Sequence, residues 1–163
     1  MSYKTLFFAA LASILSFGAV AADYDVELAA SYAKLFAPAK GAKAGKALHL
    51  IPPAKFIEIV HSGKPMAALD VRTPGETKVF GMTLPGSLRI SADELFQPAN
   101  LQLIPRDRMV VVLCQAGVRA TAMGTALRHV GFDNVYVLKG GFKGLSGALN
   151  CKVANPPPKA TAN

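Results

Sequence analysis

Two short stretches in the middle of the chain are apolar at every position. Met66–Leu69 and Val110–Leu113 lack the polar–apolar alternation of a half-exposed strand, so both are predicted to be strands buried on both faces. Residues 48–51, 87–90 and 135–138 are interpreted as three further strands. Strands that are covered on both faces are typical of parallel sheets.

Helical patterns separate these strands. Pro53 is suited to the first turn of a helix that ends at Gly63, and the small residues from Ala120 onward predict a helix that ends at Gly131. A last helix is predicted over residues 142–149. This alternation predicts an α/β fold, with a small parallel sheet of about five strands, helices on both faces and right-handed crossovers.

The alternating pattern occupies residues 48–150, and the N-terminal segment before it has a different character. Residues 1–22 combine Lys4, an apolar run from Leu6 to Phe17 and the small residues Ala19-Val20-Ala21, which is the pattern of a cleavable signal peptide. Polar residues and a glycine interrupt the apolar run, which disfavours an uncleaved membrane anchor. We therefore expect an exported, periplasmic protein that is free of the membrane after cleavage.

The flanking segments are predicted to contain little structure besides one helix. Residues 23–47 begin with a helix that Asp25 is placed to cap, and its apolar face is expected to pack on the domain. That face consists of Leu28, Tyr32, Leu35 and Phe36. Lysines alternate with alanine and glycine over Ala39–Lys46, which predicts a flexible basic linker, and the proline-rich tail at 151–163 is predicted to be disordered.

Composition limits the partners that the chain can have. The net charge is +8, and it becomes +7 when the signal peptide and its single lysine are removed, so small anions are attracted to the domain. The N-terminal lysines have no aromatic side chains among them to stack on bases, so nucleic-acid binding is not expected. His49, His61 and His129 lack ligand spacing, so neither a metal nor a cofactor is expected.

One cysteine stands between the apolar strand Val110–Leu113 and the helix that follows it. An ordinary thiol is only a few per cent thiolate at pH 7, and a helix terminus lowers the thiol pKa by only part of the amount that would make the thiolate predominant. The loop after Cys114 can supply more, because its N–H groups can turn inward and form an anion-binding concavity. These N–H groups belong to Ala116, Gly117, Val118 and Arg119. Cys114 is therefore a candidate nucleophile; the alternative is a cysteine that only packs at the strand end.

A second polar group follows the strand Met66–Leu69. Because the carboxyl ends of parallel strands lie at one edge of the sheet, Asp70 and Arg72 are expected close to Cys114. An ion pair between Asp70 and Arg72 that serves only structure is the alternative to a direct role in substrate binding. Thr73 and Glu76 form a capping box that predicts a short helix, and this already accounts for the carboxylate of Glu76.

Four motifs, in order along residues 48–149, resemble those of the single-domain rhodanese family. Asp70-Val71-Arg72 with Glu76 resembles the D-V-R-x-x-x-E signature, and Leu84–Ser87 resembles the I-P-G-A turn. Cys114–Arg119 resembles the C-x-x-G-x-R loop, and Leu138–Gly141 resembles the strand and double glycine near the end of the domain. Three departures are expected to affect packing more than chemistry. Met82 replaces a histidine, Leu145 replaces a tryptophan, and Thr83-Leu84 makes one loop a residue longer.

The resemblance implies a sulfurtransferase. Cys114 would take a sulfane sulfur from thiosulfate or another small anionic donor, become a persulfide, and pass the sulfur to a thiol or a protein acceptor. Arg119 is expected to pair with Asp70, and both Asp70 and Glu76 are expected to support the loop. The residues expected to bind substrate are Gln115, Ala116, Gly117, Val118, Arg119 and Arg72.

Two other functions stay open at this point. Phosphatases and arsenate reductases of related fold also place a cysteine before an arginine, with one residue more between them than the four found here. A non-catalytic sulfur carrier or interaction module would use the same pocket without turnover. Cys151, the second of the two cysteines, is expected to be free, because a disulfide with Cys114 would consume the nucleophile.

Overall fold

The computed structural model describes residues 24–156, and its centre is a five-stranded sheet. All neighbouring strands run parallel, in the order β1-β5-β4-β2-β3, which confirms the predicted α/β class. The strands are β1 (Leu50–Ile51), β2 (Met66–Asp70), β3 (Leu88–Arg89), β4 (Met109–Leu113) and β5 (Val135–Leu138).

Helices connect the strands and flank the sheet. They are α1 (Val26–Phe36), α2 (Ala44–Ala47), α3 (Pro53–His61), α4 (Pro74–Val79), α5 (Pro98–Gln102), α6 (Val118–His129), α7 (Gly141–Ala148) and α8 (Cys151–Ala154). Over residues 24–156, no helix has both the length and the apolar character that crossing a bilayer requires.

The two faces of β4 build two separate parts of the core. Val110 and Val112 point to one side, where α6 covers them, whereas Val111 and Leu113 point to the other. On that second side they pack against Phe56 of α3 and residues of α7. Each fully buried aliphatic side chain of this kind stabilises the fold by about 1.5–3 kcal/mol. The double-sided burial explains why the strand sequence shows no alternation.

The N-terminal helix contacts the domain less than expected. Asp25 caps α1 as predicted, with its side chain accepting a hydrogen bond from the N–H of Leu28 at 2.8 Å. Tyr32 stacks on His129 of α6 with ring centroids 4.1 Å apart, but no residue of α1 is buried. The predicted packing face therefore meets the domain at Tyr32, while Leu28 and Phe36 stay exposed.

Two segments that were predicted to be irregular contain helix. The basic linker forms a 3-10 helix at Gly41–Lys43 and then α2, because alanine favours helix and the Arg128 side chain donates to the carbonyl of Ala47 at 2.8 Å. The tail begins with α8, which the Asn150 side chain caps. Residues 157–163 of the predicted disordered tail, and the predicted signal peptide, lie outside the described residues.

Candidate active site

Cys114 is the first residue after β4 and lies beside the N-terminus of α6. It is 2% exposed. Its Sγ accepts hydrogen bonds from the backbone N–H groups of Gly117, at 3.2 Å, and Ala120, at 3.4 Å. Gly117 caps α6 with φ +95°, a conformation that suits glycine and turns the loop around the sulfur. A negative charge on Sγ would therefore meet N–H dipoles and the positive end of a helix.

The loop thus differs in detail from the sequence prediction. Of the four N–H groups expected to face the sulfur, that of Gly117 is the one that donates to it, and the N–H of Ala120 was missed. Ala120 lies in the first turn of α6, where backbone N–H groups have no partner within the helix, and this offered a signal for it. Gln115, Ala116 and Val118 are exposed, so they surround the mouth of the site.

The beginning of α7 supports the cysteine loop from behind. The N–H of Phe142 donates to the carbonyl of Cys114 at 2.9 Å, and that of Lys143 donates to the carbonyl of Gln115 at 3.0 Å. Gly141 has φ +55°, and a Cβ there would collide with the carbonyl oxygen of Cys114. Close contact between two backbones therefore requires glycine at this position, where the sequence showed only a resemblance to a family motif.

Asp70 and Arg72 form a buried pair beneath the site. The Nε and Nη2 groups of Arg72 donate to the two carboxylate oxygens of Asp70 at 3.0 and 2.8 Å, and Nη2 also donates to the carbonyl of Phe80 at 2.8 Å. The guanidinium lies 4.5 Å from the ring centroid of Phe80 and 4.0 Å from that of Phe142. Since Arg72 is buried between these partners, its geometry supports the structural alternative rather than the predicted contact with substrate.

Arg119 pairs with Glu76, and the prediction that it pairs with Asp70 is wrong. Its two terminal nitrogens donate to the carboxylate of Glu76 at 2.6 and 2.8 Å. These hydrogen bonds, together with the N–H of Thr73, lower the pKa of Glu76 from 4.5 to about 2. Glu76 therefore caps α4 and also joins α4 to the first turn of α6.

The charge of Arg119 acts on two neighbours. Its hydrogen bonds to Glu76 raise the pKa of Arg119 above its ordinary value, and Cys114 contributes to the same shift in smaller part. The guanidinium is therefore close to the sulfur as well as to the carboxylate. Its direct partner is nevertheless the carboxylate.

A groove of about 320 Å³ lies beside the cysteine loop, between the segment after α4 and helix α7. Met82 and Leu145, two of the departures from the family pattern, both line it, so these substitutions shape the surface next to the cysteine loop. The lining residues are Phe80, Gly81, Met82, Thr83, Gln115, Phe142, Lys143, Leu145, Ser146 and Leu149. A second cavity of about 360 Å³ lies near the amino ends of the strands, beside Met66, and does not include the loop.

Both cysteines are free. Cys114 is buried beside the start of α7, whereas Cys151 is exposed and follows the end of that helix. Within residues 24–156, no group of three or more histidine, cysteine or acidic side chains is arranged to hold a metal ion.

The fold and the loop together define a class of protein: a parallel α/β domain that holds a cysteine in a cradle of backbone N–H groups. The sequence profile of the rhodanese-like domain matches residues 52–148, and the chain belongs to that family.

Two curated relatives match parts of the chain. The probable adenylyltransferase/sulfurtransferase MoeZ of Mycobacterium tuberculosis is 30% identical over 91 residues, which cover 56% of this chain and 23% of MoeZ. The uncharacterized protein YqhL of Bacillus subtilis is 36% identical over 84 residues, which cover 52% of this chain and 64% of YqhL. The chain therefore spans about a quarter of one relative and less than two thirds of the other.

Solved structures share the fold. A rhodanese-related protein from Thermoplasma volcanium is 25% identical with a TM-score of 0.53, and the match covers 61% of this chain and 92% of that one. A rhodanese-like domain protein from Staphylococcus aureus is 25% identical with a TM-score of 0.52, and the match covers 59% of this chain and 89% of that one. The human single-domain sulfurtransferase TSTD1 has the same fold. It is 22% identical with a TM-score of 0.53, and the match covers 63% of this chain and 98% of that one.

Proposed function

We propose that this protein is a sulfurtransferase that moves a sulfane sulfur through a persulfide on Cys114. One observation carries the proposal. The sulfur of Cys114 is held at the N-terminus of α6 by two backbone N–H groups, which stabilise a negative charge on it. Membership of the rhodanese-like family and the name of the MoeZ relative support the same reaction class.

The reaction proceeds in two displacements. The Cys114 thiolate attacks the outer sulfur of thiosulfate, the bond between the two sulfurs of thiosulfate breaks, and sulfite leaves with its electron pair. An acceptor thiolate then attacks the outer sulfur of the persulfide, and the Cys114 thiolate is released. The negative charge stays within the cradle in both steps, so the N–H groups of Gly117 and Ala120 stabilise the start and the end of the cycle.

The donor is proposed to be thiosulfate or another small anion. Gln115 and Ala116 add no charge to the loop and Arg119 is paired with Glu76, so an anionic donor depends on backbone N–H groups and the positive charge of the domain. The acceptor is proposed to be a thiol. Export to the periplasm remains part of the proposal and is supported by the sequence pattern of residues 1–22.

The pairing of Arg119 argues against phosphate chemistry. A phosphatase loop needs its arginine to bind the phosphate oxygens, whereas both terminal nitrogens of Arg119 donate to Glu76. The loop is also a residue shorter than a phosphatase loop. The site therefore favours a sulfur centre.

A steady-state assay tests the proposal. Thiosulfate is the donor, dithiothreitol is the acceptor, and the rate of sulfite release is measured. We expect Cys114→Ser to lower the rate by at least about a hundredfold, because serine is a far weaker nucleophile toward sulfur. The matched control is Cys151→Ser, which should keep the wild-type rate because Cys151 is exposed and lies beyond α7. Turnover that survives in Cys114→Ser would overturn the assignment. Loading of the protein without turnover would indicate a sulfur carrier.

A further inference from the structure

Large apolar side chains in the cysteine loop and along the neighbouring groove are exposed on the surface of the domain. Val79, at the end of α4, is 81% exposed, and Val118, at the start of α6, is 79% exposed. Phe80 and Leu149, on the groove side, are 48% and 47% exposed. Val79 directly precedes Phe80, which lines the groove, and Val118 belongs to the cysteine loop itself. Exposed apolar groups clustered around a functional site are typical of a surface that another molecule covers.

The groove extends this apolar surface away from the cysteine. Its wall contains Met82, Leu145 and Leu149, and Gln115 connects it to the loop. The volume of about 320 Å³ is at the small end of the range for ligand pockets, and it is enough for one or two apolar side chains. A small thiol could fill the groove, but it would leave Val79 and Val118, neither of which lines the groove, uncovered.

The charge around this surface has one sign. Lys143 lines the groove, Lys78 precedes Val79, and Lys152 follows the groove residue Leu149 closely; all three lysines are exposed. No carboxylate is found among the residues that line the groove. The nearby acids, Asp70 and Glu76, are each paired with an arginine. A partner that covers this surface should therefore combine apolar contact with negative charge.

We propose that the groove and the four exposed apolar residues around the loop form the docking site of the sulfur acceptor. The acceptor is an exposed cysteine-containing segment of another protein, with apolar side chains beside the cysteine and acidic side chains farther out. This inference rests on the proposed sulfurtransferase function and narrows the class of its acceptor.

The transfer itself needs no further reactant. The acceptor thiol loses its proton to solvent, its sulfur bonds to the outer sulfur of the persulfide, and the bond from that sulfur to Sγ of Cys114 breaks. Cys114 leaves as the thiolate with the electron pair, and the acceptor becomes the persulfide. The sum of thiol and persulfide is the same before and after the step.

The test measures discharge of the loaded protein separately from its loading. Wild-type protein is loaded with thiosulfate, or with polysulfide, and loss of the added sulfur is followed by intact mass. Four probes are compared: a peptide with leucine on both sides of cysteine and glutamate at its ends, the same peptide with serine for leucine, the same peptide with lysine for glutamate, and glutathione. We expect the leucine–glutamate peptide to discharge the protein about tenfold faster than any other probe.

Two pairs of variants locate the effect on the surface. In protein that is already fully loaded, Leu149→Asp and Lys143→Glu should slow discharge to the leucine–glutamate peptide about tenfold. Leu103→Asp and Lys64→Glu are matched controls, because both residues are exposed and neither lines the groove. These controls should match wild type in both steps.

The outcomes separate the two proposals. Equal discharge by all four probes, or faster discharge by glutathione, would overturn the docking site and leave the sulfurtransferase function standing. Slower discharge in the controls as well as in the groove variants would also overturn it. A protein that neither donor loads at Cys114 would overturn the proposed function itself.

Discussion

At the scale of single residues, the chain separates two arginine–carboxylate pairs by burial. Asp70 is the last residue of β2, and Arg72, two residues farther along the chain, donates directly to its carboxylate. This leaves Arg119 to pair with Glu76, on the outside of the site, where the pair joins two helices. The inner pair supports the floor of the site, and the outer pair holds the loop in place.

Glu76→Gln tests the outer pair through the pH dependence of stability. The pKa of Glu76 in the folded state, about 2, lies below its ordinary value of 4.5. The ionised side chain therefore stabilises the fold fully above pH 4.5, and this contribution is lost as the pH falls toward 2. We expect the variant to be less stable at pH 7 by up to about 1 kcal/mol, since the pair is partly exposed to solvent.

Urea unfolding of both proteins from pH 7 to pH 2 measures this difference. The two free energies of unfolding should converge toward the acid end of the range. A constant difference across the whole range would show that Glu76 acts through packing and not through its charge.

The position of the candidate nucleophile could be predicted from the sequence, but its partners could not. A cysteine between an apolar run and a helical pattern is a local signal, so Cys114 stands out as a candidate without a structure. Arg119 could pair with Asp70 or with Glu76, and it pairs with Glu76 because Arg72 already occupies the carboxylate of Asp70. That competition is settled by three-dimensional packing.

At the scale of elements, α7 is part of the site although it carries no reactive group. Its first N–H groups bind the carbonyl oxygens of Cys114 and Gln115, so the loop is held between the starts of two helices. The central strands were predictable because burial on both faces makes their sequences continuously apolar, and the longer helices were predictable because proline and glycine mark their ends. The helices at Gly41–Lys43, at α2 and at α8 were missed because composition indicated a loop, whereas local capping and alanine content favour helix.

Gly141→Ala tests this support. The added Cβ would overlap the carbonyl of Cys114, and φ +55° is unfavourable for alanine, so we expect destabilisation by about 2–4 kcal/mol and a large loss of turnover. Gly147→Ala in the same helix is the control. A Cβ there meets nothing within 4 Å, so stability should stay equal or rise by up to about 0.5 kcal/mol. Chemical unfolding and turnover assays check both variants, and equal behaviour of the two would contradict the role given to α7.

At the scale of the whole molecule, the rhodanese-like domain carries the core and α1 is peripheral. The buried residues of the two core clusters all lie between Ile51 and Leu138, and α1 contributes no buried residue. The contact of α1 with the domain centres on Tyr32 and His129, with Ser31 3.2 Å from the His129 Nε2.

A shortened protein that begins at residue 37 should therefore remain folded. We expect its Tm to fall by at most about 5 °C, because α1 buries no side chain fully. Tyr32→Ala in the full chain should produce most of that shift. Thermal unfolding followed by circular dichroism measures both, and loss of cooperative unfolding in the shortened protein would show that α1 belongs to the core.

The most direct test of the central claim is the intact mass of the protein after incubation with thiosulfate. The sulfurtransferase account predicts a gain of one sulfur atom per chain, which dithiothreitol removes. Cys151→Ser should gain the same atom, and Cys114→Ser should gain none. A wild-type protein that gains no sulfur from thiosulfate or polysulfide, or a gain that persists in Cys114→Ser and is lost in Cys151→Ser, would contradict the account.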